Sequence, residues 1–171
     1  MALLETFDNY LIEPLGKHDR AAFSCGIEIL DRYLKQQARQ DARKRVAAPF
    51  VLVEKNSGII AGYYTLSSTS IKFEELPIEL SKNLPKYPIV PATLLGRLAV
   101  DQNHRKKGLG EILLMDALYR SLKSEIATIA VVVDAKDDAA CSFYEHYNFI
   151  GFPNFSHWLF IMIETVAKMF T

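Results

Sequence analysis

The chain has no excess of either charge: its 20 Lys+Arg are matched by 20 Asp+Glu, giving a formal net charge of 0. That balance excludes a protein coated in positive potential, so any anionic partner must be held by a local patch. Long apolar runs are missing too, and none approaches the 18 residues that a membrane span needs. Met1 to Tyr10 has neither a basic start nor an apolar core, so no signal peptide is expected. Cysteine is scarce. Cys25 and Cys141 lie far apart with no Cys-x-x-Cys or histidine spacing, and are expected to be buried thiols in a reducing cytoplasm, without metal. Neither internal repeats nor an interdomain linker can be seen. With 171 residues and 50% apolar composition, one domain over residues 1–171 is expected.

What is present reads as an α/β layered domain. Asn9 to Leu15 is a short apolar strand ending at Pro14 and Gly16. Phe23, Ile27, Leu30, Leu34, Ala38 and Ala42 recur at three- and four-residue steps, the stripe of an amphipathic helix, with Ser24 as its expected N-cap. Phe50–Glu54 and Ile59–Ser70 form a hairpin around Asn56-Ser57-Gly58. Residues 73–91 hold four prolines and are expected to be a long loop. A strand over Thr93–Asp101 precedes a helix from Glu111 to Lys123, and Ile126–Val133 reads as a strand covered on both faces. Asp137 opens a further helix that leaves through Asn148, and strands at 149–152 and 157–163 follow.

Chemistry concentrates at the strand–Arg105-Lys106-Lys107-Gly108-Leu109-Gly110–helix unit. Glycines let a backbone approach a ligand, and the helix start offers unpaired amides with the positive end of its dipole. Three cations stand at the same place, so a pyrophosphate is the natural guest. A dinucleotide fingerprint would need a third glycine and a later acidic residue, and no Gly-Lys-Ser/Thr exists for a nucleoside triphosphate loop. A tight strand-to-helix turn would explain the glycines alone.

A second cluster is Asp137-Asp138-Ala139-Ala140-Cys141-Ser142-Phe143-Tyr144-Glu145-His146-Tyr147-Asn148-Phe149. Together the two clusters resemble the GCN5-related N-acetyltransferase (GNAT) superfamily in order and separation. The resemblance implies a GNAT fold, with a mixed central sheet and helices on both faces. It also implies acetyl-CoA as acetyl donor, with its pyrophosphate on Arg105, Lys106, Lys107, Gly108, Leu109 and Gly110. Leu98, Ala99 and Val100 would offer backbone amides to the acetyl carbonyl, and Phe143 would line the acetyl end. Tyr144 would be the general acid that protonates the CoA thiolate, since an unperturbed phenol keeps its proton at neutral pH. Asp137 stands where many members have Asn, and Asn148 replaces a Gly, which the left-handed turn tolerates.

A narrower resemblance covers most of the chain. His18-Asp19-Arg20, Phe23, Cys25-Gly26, Leu30-Asp31, Tyr33-Leu34, Gln40-Asp41, Arg43, Gly62-Tyr63-Tyr64 and Leu95 to Asp101 look like the GNAT toxins of type II toxin–antitoxin modules. That resemblance implies acetylation of the α-amino group of aminoacyl-tRNA, arrest of translation, a ribbon-helix-helix antitoxin and a homodimer. The residues themselves allow an RNA partner. On a straight helical wheel, Arg32, Lys35, Arg39 and Arg43 fall within about 80° of one another, opposite the apolar stripe. From Asp31 to Arg45 six basic residues face two acidic ones, and Arg97 adds a cation from the strand. A solvated helix face is the plain alternative for this stripe. No isolated glutamate suggests a general base, although Glu54 or His104 could be placed by the fold. An aminoacyl ester has an ammonium acidic enough to need little help. Two other functions remain compatible: an N-acetyltransferase for a protein amine or small amine, and a non-catalytic CoA-binding module.

Overall fold

The Asn56-Ser57-Gly58 turn closes a hairpin in which Gly58 takes φ 72° and its N–H donates to the Glu54 carbonyl at 2.8 Å. The computed structural model describes residues 8–171, so most of the Met1–Tyr10 reading lies outside the described residues. Seven strands form a mixed sheet in the order β1-β2-β3-β4-β5-β7-β6: Tyr10–Pro14, Ala48–Glu54, Ile60–Lys72, Ile89–Val100, Ala130–Asp134, Ile150–Gly151 and Trp158–Met162 as β1 to β7. The helices are α1 (Glu28–Arg32), α2 (Ala38–Lys44), α3 (Ile78–Ser81), α4 (Leu109–Leu122), α5 (Asp138–His146) and α6 (Ile163–Met169). The chain forms two compact units, Met1–Ser67 with Gly96–Ala117, and Ser68–Leu95 with Leu118–Thr171.

In the first unit β1 and β3 flank β2, both antiparallel to it, with a bulge between Leu52 and Val53. Phe23, Tyr33, Leu34, Ala38, Val51, Tyr63 and Ala99 make its core. Gly62 has no room for a side chain: a Cβ there would lie 2.9 Å from the Ala99 carbonyl oxygen and 2.8 Å from Leu113 Cδ1. Tyr64 donates from its hydroxyl to buried Asp116 at 2.6 Å.

In the second unit the residues Thr93–Leu95 of β4 run parallel to Val131–Val133 of β5, the pairing that a helical crossover permits. β5 and β6 each pair antiparallel with β7. Ile71, Leu76, Val90, Ala92, Ala130, Val132, Phe152 and Phe160 form the core there.

Several expectations change. The first helix begins at Glu28 rather than after Ser24, because Gly26 takes φ 90° and Ile27 is extended. Ile27 takes the N-cap position with no side-chain cap, so Ser24 is no N-cap, and its N–H donates instead to Asp101 Oδ2 at 2.9 Å. Residues 73–91 are not all loop: a 3-10 turn at Phe73–Glu75, α3 and the first residues of β4 lie within them, tied by Phe73 N–H to the Pro88 carbonyl at 3.0 Å. The strand expected from Ile126 starts at Ala130. Ser124 takes the Ile126 N–H, Thr128 bonds the Ala130 carbonyl, and Ile126 stays exposed. Helix α6 was not anticipated: its first residue, Ile163, extends the apolar run of β7 and was read as the end of that strand.

Candidate active site

The loop entering α4 is built by Asp101. One of its oxygens accepts from Asn103 N–H at 2.9 Å and caps a 3-10 turn, while the other accepts from Ser24 N–H. Gln102 N–H donates to the Ser24 carbonyl at 2.8 Å. Lys106 and Gly108 both take positive φ, 63° and 74°, which turns the backbone sharply before α4 begins at Leu109. Lys106, Lys107 and Gly108 are exposed and Leu109 is buried. The first amides of α4 have no partner within the helix, so an anion fits here. Arg105 behaves differently from the two lysines beside it. Its Nη2 donates to the Cys25 carbonyl at 2.5 Å, so the guanidinium braces the segment before α1.

His104 is buried in the same loop, edge-on to Tyr10, with Nε2 3.6 Å from Glu54 Oε2 and Nδ1 3.5 Å from Asp101 Oδ1. The Ser57 hydroxyl on Glu54, then the charges of His104 and Lys107, hold the Glu54 carboxyl below its usual range. It is therefore a carboxylate at neutral pH, and a weak base.

Between α1 and α2 the helix widens into a π turn at Tyr33–Gln37, where Ala38 N–H reaches the Tyr33 carbonyl instead of Leu34. Sequence reasoning missed this turn, although a signal was present. Four-residue steps overrun an α-turn by about 40° each, so Leu30, Leu34, Ala38 and Ala42 would drift by about 120° along a straight helix. The wider turn takes up an extra residue and swings the later ones back by about 100°. Leu34 and Ala38 are fully buried as a result. The basic residues pay for that in alignment: Arg32 is separated from Arg39 and Arg43, so the four do not share the arc expected of a straight helix. All four, Lys35 included, are exposed, and Arg32 is paired with Glu28.

The π turn is held from several sides. Arg20 Nη1 takes the Leu34 carbonyl at 3.1 Å, and the Tyr63 hydroxyl takes the Leu30 carbonyl at 2.7 Å. Tyr33 donates to Asp41 Oδ2 at 2.8 Å, and Gln37 Nε2 donates to Asp41 Oδ1 at 2.9 Å. Arg97, from β4, sits over Tyr33 with Cζ 3.6 Å from the ring centroid. Its neighbours Leu98 and Val100 are half-buried and Ala99 is buried, and the registered β4–β5 pairs stop at Leu95↔Val133.

In the second unit, Asp137 Oδ1 caps α5 by accepting from Ala140 N–H at 2.8 Å, and Asn148 leaves it at φ 72°. Tyr144 is buried between Phe143 and Phe149, with ring centroids 5.2 Å away on each side. Burial pushes its phenol well above the ordinary tyrosine value, so the group holds its proton across the neutral range. Among the described residues no helix is long and apolar enough to cross a membrane, and no acidic, histidine or cysteine cluster could hold a metal ion.

Comparison with known proteins agrees along the chain. Residues 88–159 match the family model described as FR47-like protein. A tRNA-acetylating toxin of Mycobacterium tuberculosis is 35% identical over 133 residues, covering 77% of this chain and 78% of that protein. A probable toxin TacT of Sinorhizobium fredii is 29% identical over 170 residues, 93% and 94% of the two chains. The structure of AtaT complexed with acetyl-methionyl-tRNAfMet superposes with a TM-score of 0.87 at 26% identity, over 95% of this chain and 99% of that one. AtaTR bound with AcCoA gives a TM-score of 0.84 at 25% identity, over 96% and 99%.

Proposed function

From a chain that belongs to the GNAT-type family of tRNA-acetylating toxins, we propose an enzyme that acetylates the α-amino group of an aminoacyl-tRNA and so stops translation. The observation that carries this reading is the 35% identity to a tRNA-acetylating toxin across most of both chains. Acetyl-CoA supplies an activated thioester when bound, as in AtaTR. The α4 start and the backbone from Arg105 to Gly110 would hold its pyrophosphate, with Lys106 and Lys107 adding charge. Amides of Leu98, Ala99 and Val100 would receive the acetyl carbonyl, and Phe143 would line the acetyl end.

The acceptor nitrogen gives its lone pair to the acetyl carbon as the carbon–sulfur bond breaks, and the amine's surplus proton passes to water. Tyr144 donates its phenolic proton to the departing sulfur and is re-protonated from solvent. Burial supports that role by keeping the phenol neutral. Arg32, Lys35, Arg39, Arg43 and Arg97 would meet the RNA. We also infer a cytoplasmic enzyme formed as one domain over residues 1–171, a homodimer, and a ribbon-helix-helix antitoxin as its inhibitor.

The test uses labelled acetyl-CoA and charged total tRNA, followed by mild base to hydrolyse the ester. Label on the released N-acetylamino acid is the expected result. Label found only on protein or on free small amines would overturn the aminoacyl-tRNA reading.

A further inference from the structure

Arg97 is the cation with the least explained surroundings. It is half-buried with its Cζ over the Tyr33 ring, yet among the described residues no carboxylate or carbonyl accepts its N–H donors. Asp41 and Arg97 both act electrostatically on the Tyr33 ring. Asp41 accepts from the Tyr33 hydroxyl on one oxygen and from Gln37 Nε2 on the other. The π turn lies between Tyr33 and Asp41, eight positions apart, while Gln37 reaches Asp41 at the ordinary four-residue spacing. The result is a guanidinium held over one aromatic ring, with a donor edge that none of the described residues uses.

We propose that Tyr33, held by the π turn, is a positioning residue that presents the donor edge of Arg97 to a backbone phosphate of the RNA substrate. This rests on the aminoacyl-tRNA reading above. Esterification removes the amino acid's carboxylate, so the phosphates are the anions that such a substrate offers. A pre-oriented guanidinium fork matches a phosphate in two hydrogen bonds, which a flexible surface lysine cannot do. Tyr33 thus acts through Arg97, and the exposed helix cations add charge without fixing register.

The test measures steady-state transfer to charged tRNA at several salt concentrations for Arg97→Ala, Arg97→Lys, Tyr33→Phe and Tyr33→Leu. Arg97→Ala should raise KM for charged tRNA about tenfold and flatten its log–log salt dependence by about one unit, with KM for acetyl-CoA within about twofold. Tyr33→Phe keeps the ring and should stay near wild type, whereas Tyr33→Leu should match Arg97→Ala. The double variant should be no worse than either single one, because the two residues act as a unit. Should Tyr33→Leu fail to fold, Arg97→Lys decides. It keeps the charge and the salt slope but should still raise KM for tRNA. Wild-type KM in Arg97→Lys, or in folded Tyr33→Leu, would overturn the positioning role while leaving the aminoacyl-tRNA reading intact. A wild-type enzyme that labels no aminoacyl-tRNA would overturn both.

Discussion

Arg105 donates a hydrogen bond to the carbonyl of Cys25, joining the loop before α4 to the segment that starts α1. Asp101 and Gln102 bind the same segment through Ser24, so the glycine loop and the basic helix are parts of one braced structure. A cation that reads in sequence as a phosphate ligand is thus also a strut. Gly26 makes the strut possible. It takes φ 90°, and a Cβ there would stand 2.5 Å from Gln102 Nε2 and 3.2 Å from Arg105 Nη2.

Gly26→Ala should therefore lower stability by about 1–3 kcal/mol, through both the left-handed backbone and the displaced side chains. The accompanying change should be a raised KM for acetyl-CoA, because the loop before α4 loses its brace. Thermal melting and acetyl-CoA titration measure the two effects separately. An unchanged acetyl-CoA KM in a destabilised protein would show that the brace serves the fold alone.

Tyr144→Phe should keep the melting temperature, since a ring of the same shape fills the space between Phe143 and Phe149. Its kcat should fall by about 10²–10⁴, the usual worth of a placed acid. The sign of the pH dependence follows from burial. The acid works in its protonated form, and its pKa is raised, so loss of the proton moves to higher pH than for a free tyrosine. A wild-type kcat profile should show no alkaline fall from this group below about pH 10. A fall nearer pH 8 would point to a different acid.

Glu54→Gln should leave kcat within about threefold and the pH profile unchanged. Ser57 and the positive neighbours hold this carboxyl low, so it takes up a proton poorly at neutral pH. The proposed acceptor needs little base in any case. A loss above about 100-fold, together with loss of the acidic limb of the profile, would make Glu54 the base and favour a more basic amine as acceptor.

How much of this was legible depended on whether a feature is local. The Asn56-Ser57-Gly58 hairpin, the Asp137 cap and the Asn148 exit are each set within a few residues, and all three appear where the pattern put them. The π turn, the Arg105 strut and the Tyr33–Arg97 stack join residues distant in sequence, and no window along the chain contains them. Helix α6 was missed for the opposite reason: Ile163 continues the apolar run of β7, and the helix behind it is only seven residues long. The candidate chemistry was legible because the glycine loop and the Tyr144 helix each carry a compact signature. The support beneath them was not.

Arg20 provides the sharpest test of that hidden support. In an α-helix the Leu34 carbonyl would accept from Ala38 N–H, but the π turn redirects that donor to Tyr33 and leaves Leu34 to the Arg20 guanidinium. Arg20→Ala removes the substitute partner without touching the helix. Two outcomes compete. If the turn persists, an unsatisfied half-buried carbonyl costs about 1–2 kcal/mol, or about 2–8 °C in melting temperature for a chain of this size. If the helix instead recovers its α register, Ala38 rotates by about 100° and loses its place in the core, which costs more. The first outcome should win, because Tyr33, Gln37 and Asp41 still hold the wide turn. Arg20→Ala should then melt a few degrees lower and keep its KM for charged tRNA. A raised KM with loss of the Arg97 salt signature would mean that Arg20 sets the register of the whole helix.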